Sequence, residues 1–163
     1  MSIDVHDYIP VSEKLKEFGI ATPCKLSFLP SNLEKAMTIG ELRQYVESDT
    51  VRTILRKNKI PYEEIFSEDE QPLYLQQYSF EWFGPCIFIP AGLLIQDPNL
   101  LSITINLISS FLYDLFKNSS DGQASLDVIL EQADGSCKKI HYSGPADGLS
   151  KIPDIVKELE SKK

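Results

Sequence analysis

Between Asp97 and Lys117 apolar and polar residues recur with the period of an α-helix. Asp97 is placed to cap a first turn, and Pro98 has no amide N–H to leave unpaired there. On a wheel of about 100° per residue, Leu100, Leu101, Ile103, Ile105, Leu107, Ile108, Phe111, Leu112, Leu115 and Phe116 sweep well over half the circumference. Asn99, Ser102, Asn106, Ser109, Ser110, Asp114 and Lys117 share the remaining stripe. The spacing predicts a helix from about Pro98 to Lys117 that needs cover on most sides, from its own domain or from a partner.

The flanking segments carry shorter patterns. Residues 1–10 read as irregular chain or a short edge strand, with His6 in a mobile stretch. Val11, Leu15 and Phe18 share one helical face, and Gly19 stops that helix. Cys24 to Leu29 alternates between Pro23 and Pro30, as a short or edge strand does. From Ser31 to Ile60 the chain reads as helical, with Thr38 capping Gly40 to Val46 and Asp49 capping Thr50 to Lys57. Glu63 to Glu70 is an acidic loop or short helix. Leu73 to Phe80 reads as a strand, Trp82 to Pro85 as a turn, and Cys86 to Ile89 as a buried strand. Downstream, Leu126, Val128 and Leu130 form the apolar face of a strand, with Asp127 and Glu131 together on a solvated one. Asp134-Gly135 supplies a hairpin turn, Cys137 to Tyr142 the return strand, and residues 143–148 a loop. The chain closes with a helix whose apolar face is Ile152, Ile155, Val156 and Leu159.

This order predicts an α+β fold: a small mixed sheet with a C-terminal β-hairpin, packed on a long apolar helix with additional helices. All 163 residues form one domain, mainly helical over residues 1–60, with the sheet, long helix and hairpin in 72–163. The length suffices for a core without disulfides or metal. A net charge of −8 disfavours bulk attraction to nucleic acid or anionic lipid. The apolar stretch from Leu100 to Phe116 falls short of the roughly 20 residues of a membrane span and contains Asn106 and Asp114. Residues 1–10 have neither a basic start nor an apolar run, so no signal peptide is expected. Cys24, Cys86 and Cys137 are odd in number and far apart, as buried thiols of a reducing cytoplasm are.

Candidate chemistry is sparse. No metal-binding His pair, phosphate-cradling Gly-rich loop or Gly-x-Ser-x-Gly elbow is present, so no catalytic, cofactor or metal residue is assigned. His141 lies on the same side of its strand as Lys139, facing solvent. The segment from Thr38 to Lys57 has the outline of a helix-turn-helix whose second helix would offer Arg52, Arg56 and Lys57 to phosphates or bases. Against it stand Gly40 and Glu41 in the first helix and Tyr45 where a turn glycine belongs. Tyr74, Tyr78 and Trp82 belong to an aromatic cluster of the kind that anchors protein interfaces.

The last third of the chain resembles in layout the bacterial effector-associated constant components. The likeness is carried by the helix Leu100 to Lys117, the strand Leu126 to Glu131, the Asp134-Gly135 turn and the final helix. It implies a non-enzymatic accessory of a defence or signalling effector and transfers no functional residue. The expected function is a protein–protein interaction component, a small cytoplasmic adaptor or regulatory subunit that self-associates or binds a protein partner. The alternative is a DNA-binding regulator using Thr50 to Lys59.

Overall fold

The computed structural model describes residues 2–76, 81–118 and 122–161. Its centre is a mixed sheet of order β1-β7-β6-β5-β2, built from β1 (Ser2–Tyr8), β2 (Ser27–Leu29), β5 (Glu81–Ile89), β6 (Gln123–Glu131) and β7 (Cys137–Pro145). The α+β expectation holds. A smaller sheet pairs β3 (Arg43–Tyr45) in parallel with β4 (Leu73–Leu75). The helices are α1 (Val11–Glu17), α2 (Glu47–Lys57), α3 (Leu93–Gln96), α4 (Leu100–Phe116) and α5 (Ile152–Ser161).

Parallel strands cannot be joined by a tight turn, and the chain crosses from β5 to β6 through α3 and α4. Alternation then sorts side chains to the two faces of the sheet. Ile87, Leu126, Val128, Leu130, Ile140 and Tyr142 meet α4 in one core, which α2 and α5 complete with Val51, Leu55, Ile152 and Val156. Cys86, Phe88, Ile129 and Cys137 belong to a second core with Val11 and Leu15 of α1, Leu33, Leu42 and Phe66. Gly135, at φ 89°, takes the hairpin turn, and β7 continues to Pro145, past the expected end at Tyr142.

Several expectations are corrected. Residues 31–46 form turns, a 3-10 turn at Ile39–Glu41 and strand β3, so the helix expected from Gly40 to Val46 is absent. Helix α2 starts at Glu47, with Asp49 in its first turn and no side-chain cap. Trp82 to Pro85 is a bulge inside β5: three steps from Phe83 to Cys86 match two from Ser125 to Asp127. Pro85 cannot donate to a ladder, and Gly84 sits where a Cβ would lie 2.5 Å from the Trp82 ring. Asp97 ends α3 and offers its carbonyl to Leu100 N–H, so it is no cap for α4. Within its own chain helix α4 is covered on one face: Leu101, Ile105, Ile108 and Leu112 are buried, while Ile103, Tyr113 and Leu115 are exposed. His6 is held in β1, and Cys24 is exposed although Cys86 and Cys137 are buried. Among the described residues no helix is long and apolar enough to cross a membrane.

Candidate functional site

The three cations of the expected DNA-reading helix have separate surroundings. Arg52 is buried, with Nη1 2.8 Å from Asp49 Oδ1 and 3.1 Å from Gln44 Oε1. Its Nε lies 2.7 Å from Glu64 Oε1, a contact of charges in which the N–H is not aimed at the carboxylate. The guanidinium also covers the Phe28 ring at 5.3 Å. Tyr74 donates to Asp49 at 2.6 Å, which, with burial, pushes its phenol up from the usual tyrosine value. Arg56 donates to Tyr62 Oη, and Lys57 is exposed. Without a first helix, and with Arg52 turned inward, Asp49, Arg52 and Arg56 form a brace between α2 and the 62–74 segment, to which Lys57 adds no contact among those described. A cleft of about 680 Å³ opens beside the brace, its walls including Glu64, Glu68 and Tyr74.

The aromatic candidates also part company. Trp82 is buried in the α4-side core, whereas Tyr74 is half exposed. Tyr78 lies outside the described residues. A second cleft, of about 660 Å³, runs between α4 and the 3-10 turn Ala146–Lys151, with Leu112 and Phe116 among its apolar residues and Asn106 and Asp147 among its polar ones.

A polar group unites β1, β7 and β6. Register places Asp4 opposite His141, and His141 opposite Asp127. His141 Nδ1 lies 2.5 Å from Asp127 Oδ1, and Lys139 Nζ lies 3.5 Å from Asp127 Oδ2. Lys139 also covers the Tyr8 ring at 5.5 Å, and burial pushes the Tyr8 phenol up. The His141 read from sequence as facing solvent is therefore a partly buried residue in contact with the Asp127 carboxylate. Counting outward from a three-residue turn of Ala133, Asp134 and Gly135 would have found the pair, because Gln132 then faces Ser136 and residue 127 falls against 141. Glu131, read as solvated, is buried and accepts from Ser12 Oγ at 2.6 Å and Ala91 N–H at 3.0 Å. It ties α1 to the β5–α3 connection. Among the described residues no group of three His, Cys, Asp or Glu side chains could hold a metal ion.

The two ends of the main sheet differ. At the β2 end, Ser27 bridges to Glu63, and Glu63 N–H donates to Leu26 at 2.9 Å, so neighbouring chain covers that edge. At the other end all seven residues of β1 pair with β7, and no described residue pairs with the outer side of β1. Ser2, Asp4, Val5, His6 and Asp7 are exposed, and Asp7 is paired with Lys138, whose hydrogen bond and charge hold its carboxyl below the usual range. An open strand edge presents unpaired backbone donors and acceptors in a regular row, a template for an added strand. No family model, curated protein or solved structure matches this chain.

Proposed function

We propose that the protein is a non-enzymatic interaction component, a small adaptor or regulatory subunit that works by strand addition at β1. The observation that carries this reading is the seven-residue edge, unpaired among the described residues, at one end of a sheet whose other end is covered. Native edges are commonly blunted by proline, charged side chains, a bulge or very short length. β1 has no proline, no lysine and no bulge, and of its two carboxylates, Asp4 and Asp7, the second is paired with Lys138 of β7. The free thiols of Cys24, Cys86 and Cys137 favour a reducing cytoplasm as its compartment. Service beside a bacterial defence or signalling effector is the part that rests on the layout of the last third.

The test is affinity capture of the full chain from its native cell, with a differently tagged second copy present. Val5→Lys, a charge at an exposed edge position, serves as the comparison. Recovery of a stoichiometric partner or second copy with the parent chain, lost with Val5→Lys, is the expected result. Equal recovery with both chains, or none with either, removes β1 as the working surface.

A further inference from the structure

Resting on that reading, we infer that the strand added to β1 is β1 of a second copy of this chain, antiparallel and centred on Val5. Such pairing sets Val5 against Val5, and it sets Asp4 of each copy against His6 of the other. Asp4 and His6 are both exposed and lie on the same face of the strand. A carboxylate facing an imidazole N–H is a complementary cross-strand pair, and two-fold symmetry makes it twice.

The neighbouring registers lack this fit. A shift toward the N-terminus puts Asp4 opposite Asp4, like charges that disfavour pairing, and a shift toward Tyr8 puts His6 opposite His6, which leaves each Asp4 without an imidazole opposite. A foreign strand would have to bring its own pattern, whereas Asp4 and His6 of the strand Ser-Ile-Asp-Val-His-Asp-Tyr already complement each other about Val5. The remaining edge charge, Asp7, is answered within the chain by Lys138. The two sheets then join into one, with both α4 helices on the same side.

The experiment uses the full chain carrying Cys24→Ser, since Cys24 is the exposed thiol and Cys86 and Cys137 are buried. Light scattering over a dilution series should give a dimer mass that falls to the monomer on dilution. Val5→Cys should form an interchain disulfide under mild oxidation, because directly opposed antiparallel residues are about 4.5–5.5 Å apart at Cα, within disulfide reach. Ile3→Cys, displaced from its copy, should not. His6→Asp should weaken the dimer several-fold without unfolding the strand, where Lys139 faces that position, and the swap Asp4→His with His6→Asp should restore it. A monomer mass at every concentration, or crosslinking of Ile3→Cys in place of Val5→Cys, overturns the proposal. Loss of a foreign partner on Val5→Lys in the capture experiment, with a monomeric chain, would leave β1 as the working surface and remove self-pairing alone.

Discussion

The phenol oxygen of Tyr142 and the backbone of Gly148 lie so close that a methyl group on Gly148 would sit 2.0 Å from that oxygen. Tyr142 is fully buried and donates to the Pro145 carbonyl, which anchors the 3-10 turn leading into α5. Gly148→Ala is expected to cost about 1–3 kcal/mol, the usual range for overpacking. Adding Tyr142→Phe should recover only part of that loss, because the ring carbon at 2.7 Å remains. Urea unfolding of the single and double variants checks this.

Leu112 and Tyr113 are neighbours on α4 with opposite environments, 0% and 74% exposed. Leu112→Ala should destabilise by about 2–5 kcal/mol through the cavity it leaves. Tyr113→Ala should stay within about 0.5 kcal/mol, as exposed substitutions do. Equal losses would mean that α4 is covered on its outer face too.

Arg52→Met removes the charge shared by Asp49 and Glu64 while keeping much of the side-chain volume. Both carboxylates remain about half open to water, so the loss should be about 1–3 kcal/mol, below that of a fully buried pair. The 62–74 segment should then exchange its amide hydrogens faster than β6. Unchanged exchange there would show that the brace does not hold the segment.

Alkaline pH should destabilise the protein. Cysteine and tyrosine ordinarily titrate near 9.0 and 10.0, and burial pushes Cys86, Cys137 and Tyr142 upward. As pH rises past those ordinary values, the unfolded chain releases protons that the native chain keeps. The native state then binds more protons, so stability present below pH 9.0 is lost as pH climbs. Melting temperature should fall on that limb, and Cys86→Ala, although less stable throughout, should show a shallower fall.

Patterns confined to neighbouring residues are legible in the sequence alone. The alternation of Leu126, Val128 and Leu130, the Asp134-Gly135 turn and the stripe on α4 are consequences of periods 2.0 and 3.6 acting on adjacent side chains. The region from Ser31 to Val46 defeated that reading because its partner is remote. Arg43–Tyr45 becomes a strand by pairing with Leu73–Leu75, and nothing local marks three residues for that. Gly84-Pro85 looked like a turn for the same reason, since only the register against β6 turns it into a bulge.

By itself, then, the sequence determined the α+β class, the long helix, the hairpin and the closing helix, since backbone sterics and apolar periodicity act within a few residues. Tertiary structure alone decided which charges are buried. Arg52 and Glu131 carry no sign of burial in their own segments, and each meets groups that folding brings from elsewhere: the Gln44 amide and the charge of Glu64 for the one, Ser12 and Ala91 for the other. It also chose, of the two readings of residues 1–10, the edge strand over the irregular chain, leaving β1 with one side unpaired among the described residues. An edge is a property of strand order, set by the packing of the whole chain, and Ser2–Tyr8 would have the same residues in the middle of a sheet.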